Sequence, residues 1–152
     1  MTEISEDEAI PDGVDRLTDQ LYISDAPSAR RLPEDHPFDR VITVGYFDRL
    51  GYERPEATTD EHVFPDGDHD YTQFQRATDT ALAALSDGQR VLVHCQAGVS
   101  RSAAVCSAVL AVQMEIPLDR AYARIRRARP KVDPVPEVWA SAERYVNDGM
   151  NE

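Results

Sequence analysis

The apolar residues of the chain fall into short β-branched runs and into longer stretches in which they recur every three or four positions. The short runs predict strands at residues 21–23, 41–44, 62–64 and 90–94. The longer stretches predict helices at residues 71–85, 102–114, 118–128 and 135–147. Strands interleaved with helices indicate an α/β fold with a mostly parallel central sheet of about four or five strands flanked by helices.

Two of these elements differ from the rest in how completely apolar they are. Val91, Leu92 and Val93 are consecutive, which is typical of a central strand covered on both faces. The helix at 102–114 is apolar nearly all round, so we expect neighbours on several sides. The helix at 71–85 is instead amphipathic, and Asp70 stands where an N-terminal cap is expected.

Charge narrows the possible classes of function. The 152 residues carry 28 acidic side chains against 16 Lys and Arg, a net charge of −12, which disfavours non-specific binding to nucleic acid or anionic membranes. The uncharged run at 103–114 is shorter than the ~20 residues of a membrane span. The N-terminus is acidic where a secretory signal would be basic, so we expect a cytoplasmic protein. All cations but Lys131 are Arg, a weakly hydrated side chain, which suggests a salt-rich cytoplasm; an ordinary acidic protein is the alternative.

The acidic residues also suggest how the chain is divided. Residues 1–19 carry seven acids and one Arg, with few apolar side chains, and predict a loosely ordered leader. Residues 20–148 contain no linker or repeat and predict a single domain. Two cysteines are too few for a disulfide scaffold.

The candidate chemistry lies between the buried strand and the apolar helix, in the sequence His94-Cys95-Gln96-Ala97-Gly98-Val99-Ser100-Arg101-Ser102. The start of a helix gathers free backbone N–H groups, which bind anions. The same field favours the thiolate form of a cysteine at its base, here Cys95. The planar fork of Arg101 can hold two oxygens of a tetrahedral oxyanion. Thiolate, N–H groups and Arg together suit attack on a phosphate group.

This segment resembles the HCxxGxxRS signature of cysteine-based protein phosphatases of the compact dual-specificity type, whose phosphate-binding loop joins a strand to a helix. The resemblance implies that Cys95 is the nucleophile and that Arg101 binds the phosphate. It implies that Ser102 hydrogen-bonds the thiolate and that His94 supports the loop. Phosphate would also be bound by the backbone N–H groups of Gln96, Ala97, Gly98, Val99, Ser100 and Arg101.

The resemblance also implies a general acid on a loop upstream of the cysteine. Asp66, Asp68 and Asp70 are the candidates. Asp70 is better used as a helix cap, and Asp66 directly follows a predicted strand, with Gly67 beside it. We therefore favour Asp66, with Asp68 as the alternative.

An Arg-rich turn follows the helix at 118–128, and residues 120–131 contain six cations and no acids. By resemblance, Arg129 would lie at the pocket mouth and bind a second acidic group, with Arg126 as second choice. The alternative is a solvated face that offsets the acidic body. The family often has Asn after the Pro of this turn, whereas Val135 follows Pro134 here.

The resemblance implies hydrolysis of phosphotyrosine on proteins or peptides, with phosphoserine and phosphothreonine as further candidates, and without a metal ion or other cofactor. We expect a monomer. Phosphoinositides or RNA 5′ phosphates are alternative substrates, although the variable loop positions carry no charge. A phosphoprotein-binding module and a sulfur-transfer enzyme are alternatives from other classes.

Cys106, inside the apolar helix, is expected to pack as a small hydrophobic residue.

Overall fold

The computed structural model describes residues 10–46 and 53–150. They form five strands and five helices. The strands are β1 (Asp15–Arg16), β2 (Leu21–Asp25), β3 (Arg40–Thr43), β4 (Asp60–Glu61) and β5 (Val91–Cys95). The helices are α1 (Ala26–Arg30), α2 (Tyr71–Ser86), α3 (Arg101–Met114), α4 (Leu118–Ala128) and α5 (Pro136–Met150).

The sheet has the order β1-β2-β5-β3-β4, with β5 at its centre. Strand β5 runs parallel to β2 and β3, and β4 runs parallel to β3, so only β1 is antiparallel to its neighbour. All five residues of β5 are buried. The predicted α/β fold with a mostly parallel central sheet is therefore confirmed, and β5 is the central strand that its apolar run predicted.

The two faces of the sheet support separate apolar clusters. Alternate strand residues such as Leu21, Ile42 and Val93 face the larger cluster, which includes α3. Tyr22, Val41 and Leu92 face the smaller one on the opposite side. Helix α3 packs against β5 and against α2, α4 and α5, so its residues 102–111 are all buried. This packing holds the N-terminus of α3 firmly at the end of β5.

The described part of the predicted leader is ordered, unlike the expectation of a loose segment. Strand β1 pairs with β2, with Asp15 opposite Ile23, and Val14 is buried in the smaller cluster. Sequence patterning misses this strand because it has two charged residues and no apolar run. Residues 1–9 of the leader lie outside the described residues.

Two further elements can be compared with their predicted positions. Strand β4 covers residues 60 and 61 instead of 62–64, although His62 and Phe64 still donate backbone hydrogen bonds to Thr43 and Val44. Asp70 caps α2, as expected, by accepting a hydrogen bond from the backbone N–H of Thr72. Within residues 10–46 and 53–150, no helix is both long and apolar enough to cross a bilayer.

Candidate active site

The site lies where the parallel strands β2, β5 and β3 end, at the edge of the sheet where α/β proteins commonly bind ligands. Residues 96–100 connect β5 to α3 and form a loop, called here the phosphate loop. Gly98 adopts a φ of 66°, a conformation that glycine tolerates far better than other residues. A Cβ atom there would lie 2.8 Å from the carbonyl oxygen of Ser24. The loop therefore packs directly on the end of β2.

Cys95 is the last residue of β5, and its side chain lies beneath the phosphate loop with only 2% of the residue exposed. Its Sγ lies 3.2 Å from the Oγ of Ser102, in the first turn of α3. A hydroxyl at this distance can donate a hydrogen bond to a thiolate. The structure thus brings together the sulfur and the hydroxyl whose contact the resemblance implies.

Arg101 is the first residue of α3, and its guanidinium reaches across to the segments that follow β3 and β4. Its Nη1 donates a 3.0 Å hydrogen bond to the carbonyl oxygen of Phe64. A Cβ atom on Gly45 would lie 2.3 Å from that Nη1, so the absence of a side chain at Gly45 makes room for Arg101. The Nε of Arg101 is buried without a hydrogen-bond partner among the described residues. That N–H group can serve an anion in the loop.

His94 is fully buried behind the phosphate loop. Burial is the main cause that lowers its pKa from 6.5 to about 4, so the ring is neutral at pH 7. Nδ1 lies 3.4 Å from the carbonyl oxygen of Cys95, and Nε2 lies 2.7 Å from Oγ1 of Thr43. A carbonyl only accepts, so Nδ1 carries the proton and Nε2 accepts from Thr43. Thr43 in turn lies 2.7 Å from the hydroxyl of Thr58.

The acid loop, residues 65–70, follows Phe64 and carries all three candidate acids. Asp66 and Asp68 are both exposed on this loop. Asp70 is the cap of α2, and its hydrogen bonds with Thr72 lower its pKa. The geometry therefore leaves Asp66 and Asp68 as the two candidates, as the sequence did.

His69 anchors the acid loop, a role that sequence reasoning missed. Its Nδ1 lies 2.6 Å from the carbonyl oxygen of Gly67, and its Nε2 lies 2.7 Å from Oγ of Ser141 in α5. Its ring packs on Phe64 with centroids 4.9 Å apart. The chain separation between His69 and Ser141 leaves no local signal for this contact.

Within the described ranges, no three His, Cys, Asp or Glu side chains are grouped as a metal site would need.

The structure corrects the expectation for Arg129. Its side chain is 4% exposed and lies behind the phosphate loop instead of at a pocket mouth. Its Nε donates to the carbonyl oxygen of Gly98 at 2.8 Å, and Nη1 contacts Asp15 at 2.9 Å. The guanidinium is thus bound to the protein itself, so it does not reach a second acidic group of a substrate. Arg126, the second choice, is exposed on α4.

The turn after Arg129 supports the phosphate loop through its backbone. The N–H of Asp133 donates to the carbonyl oxygen of Val99 at 2.8 Å. The N–H of Val135 donates to Oγ of Ser100 at 2.9 Å. Val135, which stands where the family often has Asn, thus contributes a main-chain hydrogen bond to a buried loop serine.

Cys106 lies in the middle of α3 and is fully buried. Burial raises the pKa of its thiol, so it stays protonated. Both cysteines are free. The expectation that Cys106 packs as a small apolar side chain agrees with this position.

Comparison with known proteins gives consistent similarities. The family model "Dual specificity phosphatase, catalytic domain" matches residues 34–147. Mouse dual specificity phosphatase 28 is 40% identical over 84 residues, which are 55% of this chain and 52% of the mouse protein. A putative tyrosine phosphatase of Invertebrate iridescent virus 6 is 27% identical over 87% of this chain and 93% of its own.

Solved structures agree with these similarities. The crystal structure of a mouse putative dual specificity phosphatase complexed with zinc tungstate superposes with a TM-score of 0.73 at 26% identity, over 97% of this chain and 93% of that chain. The match to the phosphatase 28 proteins spans about half of their length.

Proposed function

We propose, from the premise that this chain belongs to the dual specificity phosphatase family, that it hydrolyses phosphomonoesters on proteins through a phosphocysteine intermediate. The observation that carries the proposal is the contact of Cys95 Sγ with Ser102 Oγ at 3.2 Å, beneath a loop that opens a helix. A thiolate, a hydroxyl and helix N-terminal N–H groups at one point suit phosphoryl transfer.

In the first step, the thiolate of Cys95 attacks phosphorus in line with the ester oxygen. A sulfur–phosphorus bond forms and the phosphorus–oxygen bond to the substrate breaks. The leaving oxygen takes a proton from Asp66, our first choice of acid, or from Asp68. Their place on the acid loop leaves either carboxyl free to approach a bound substrate.

In the second step, water attacks the phosphocysteine and the same carboxylate accepts its proton. The sulfur–phosphorus bond breaks, inorganic phosphate is released and Cys95 returns as a thiolate. The hydroxyl of Ser102 donates a hydrogen bond to the leaving sulfur, which stabilises its negative charge. The proposed steps need no metal ion or other cofactor.

The phosphate loop would bind the phosphoryl oxygens. Its backbone N–H groups, from Gln96 to Arg101, are the donors that the motif supplies. The buried Nε of Arg101 is one further N–H group, and an oxyanion would satisfy it. His94 and Thr43 support the loop from β5 and β3 as a neutral pair, so they add no charge to the site.

The substrates that we propose are proteins or peptides carrying phosphotyrosine, with phosphoserine and phosphothreonine as further substrates. The acidic chain and the uncharged loop side chains Gln96, Ala97, Val99 and Ser100 disfavour phosphoinositides, nucleic acids and membrane surfaces. We also propose that the protein is a cytoplasmic monomer. Gel filtration at several concentrations tests the oligomeric state.

The first experiment is hydrolysis of para-nitrophenyl phosphate in the presence of EDTA. Wild-type protein should hydrolyse the substrate and Cys95→Ser should not. Cys106→Ala, the matched cysteine control, should retain activity. Turnover by Cys95→Ser would refute the nucleophile. Tight binding of phosphopeptides without any turnover would favour a binding module instead.

The acid is assigned by comparing the pH dependence of turnover in Asp66→Asn and Asp68→Asn. Loss of the general acid slows turnover and flattens one limb of the profile. We expect this for Asp66→Asn, with Asp68→Asn close to wild type as the matched control on the same loop. The reverse result would transfer the role to Asp68.

The acidic composition leads to a separate proposal, that the protein is adapted to a salt-rich cytoplasm. Its net charge of −12 opposes both compaction and the approach of anionic substrates at low ionic strength. In about 1 M salt the screening length falls to ~3 Å, which removes most of this repulsion. The melting temperature and kcat/KM should therefore fall as KCl is removed. An increase in both would contradict the proposal.

A further inference from the structure

We propose that Arg129 is a positioning residue that holds the phosphate loop in its anion-binding conformation and connects the loop to strand β1 through Asp15. This inference rests on the proposed function, since it concerns how the same loop is prepared. Arg129 itself is expected to touch neither the substrate nor the reacting sulfur, because its guanidinium is 4% exposed and bound to the protein.

The first step of the argument is the direction of two peptide groups in the loop. Nε of Arg129 donates to the carbonyl oxygen of Gly98 at 2.8 Å, and Nη2 donates to that of Ala97 at 3.3 Å. In a planar trans peptide the C=O and N–H bonds point in opposite directions. With both carbonyls turned towards Arg129, the N–H groups of Gly98 and Val99 point away from it, towards the inner side of the loop. The guanidinium thus fixes the orientation of two proposed phosphate donors.

The second step is the charge of the buried guanidinium. Asp15 accepts from Nη1 at 2.9 Å, and Asp25 at the end of β2 lies 3.8 Å from Nη2. A buried cation without such partners would be costly. The two carboxylates compensate the cation. They hold the guanidinium plane so that its remaining donors meet the carbonyls.

The third step is the connection to the N-terminal segment. Nη1 also contacts the carbonyl oxygen of Gly13 at 3.3 Å. Asp15 lies in β1, which pairs with β2. Residues 13–15 therefore complete the binding site of the guanidinium, although they lie outside the catalytic motif. A lysine could not replace the arginine, because one ammonium group cannot reproduce the planar fork that serves the carbonyls and Asp15 together.

The fit between Arg129 and Gly98 supports the assignment. A Cβ atom at position 98 would lie 2.5 Å from Nη2 of Arg129. The guanidinium therefore packs directly against the loop backbone with no side chain between them. A side chain that served only to stabilise α4 would not need this contact.

The test uses the full chain with Arg129→Lys and Asp15→Asn as the variants. Arg127→Lys is the matched control for the first, because Arg127 is exposed on α4 two positions away. Asp19→Asn is the control for the second, since the ion pair of Asp19 with Arg16 is exposed. The readouts are the inhibition constant of orthovanadate, kcat and KM for para-nitrophenyl phosphate, the pH profile of Cys95 alkylation by iodoacetamide, and the melting temperature.

We expect Arg129→Lys to weaken vanadate inhibition and lower kcat by roughly ten- to hundred-fold, as displaced catalytic geometry typically does. The pH profile of Cys95 alkylation should also differ from that of wild type, because the loop N–H groups no longer face the sulfur in the same way. Asp15→Asn should change the same readouts in the same direction by a smaller factor. Both controls should match wild type.

A lower melting temperature with unchanged vanadate inhibition and an unchanged alkylation profile would overturn the proposal and leave Arg129 a purely structural residue. If Arg129→Lys does not fold, the partly exposed Asp15 still provides the test, and wild-type behaviour of Asp15→Asn would overturn the connection to β1. If wild-type protein neither turns over nor binds vanadate, the proposed function fails. The alkylation profiles of wild type and variants then still decide whether Arg129 orients the loop.

Discussion

Acid should destabilise this protein through His94 by an amount that the structure allows us to calculate. In the unfolded chain, His94 takes up a proton as the pH falls below about 6.5. In the folded protein its pKa is lowered to about 4, mainly by burial, so it stays neutral down to that pH. Between these values the unfolded state binds more protons, so the free energy of unfolding falls as the pH falls. Well above pH 6.5, His94 contributes no pH dependence.

The magnitude follows from the size of the shift. A change from 6.5 to about 4 corresponds to about 3 kcal/mol in total, since one pKa unit is about 1.4 kcal/mol. Between pH 8 and pH 5, about 2 kcal/mol of this is lost. For a domain of this size, that is a substantial fraction of a typical stability of about 5–15 kcal/mol.

The assay is urea unfolding of wild type and His94→Gln at pH 8 and pH 5, at constant ionic strength. Titration of the many carboxylates is common to both proteins and cancels in their difference. The stability advantage of wild type should shrink by about 2 kcal/mol from pH 8 to pH 5. Ser107→Ala, which removes a buried hydroxyl that does not titrate, is the control, and its stability difference from wild type should be the same at both pH values. A wild-type advantage that is the same at both pH values would refute the reasoning.

Three other substitutions or modifications test the site. Ser102→Ala removes the hydroxyl 3.2 Å from Cys95 Sγ and should slow hydrolysis of the phosphocysteine more than its formation, so stopped-flow measurements should show a burst of product. Ser107→Ala removes a buried α3 hydroxyl bonded to Ala103 and should not produce a burst. Gly98→Ala should unfold at a lower urea concentration than Gly88→Ala. Both positions have positive φ, but of the two only Gly98 would place an added Cβ within 4 Å of other atoms. Equal losses of stability in the two variants would exclude the steric cause. Iodoacetamide should modify Cys95 in native protein and Cys106 only after unfolding, because burial raises the pKa of Cys106; peptide mass spectrometry showing comparable rates would contradict this.

Much of the fold could be predicted because its elements carry strong local patterns. The run at Val91–Val93 and most of the apolar helix α3 are buried on all sides, so their sequences are apolar almost without interruption. Strand β1 could not be predicted, because its two charged residues are held by pairing with β2 and, at Asp15, by Arg129. Strand β4 is set by its register with β3, which a short sequence run does not reveal.

The candidate site also has a part that the sequence predicts and a part that it does not. Cys95, Arg101 and Ser102 are close in sequence, and their spacing around one loop determines their proximity. The supporting contacts join distant segments, such as His69 to Ser141 and His94 to Thr43. The resemblance placed Arg129 at the pocket mouth, but two carboxylates and the loop carbonyls bind its guanidinium and offset the cost of its burial.

The contacts of Arg129 also determine when the site can form during folding. The guanidinium bonds to Gly13, 116 positions earlier, and to the loop 31 and 32 positions earlier. Contacts between such distant residues form late, because the entropy of closing long loops must be overcome first. During synthesis, the cysteine and its loop leave the ribosome well before residue 129 does. The loop can therefore make these contacts only when nearly the whole domain has been synthesised and has closed on itself.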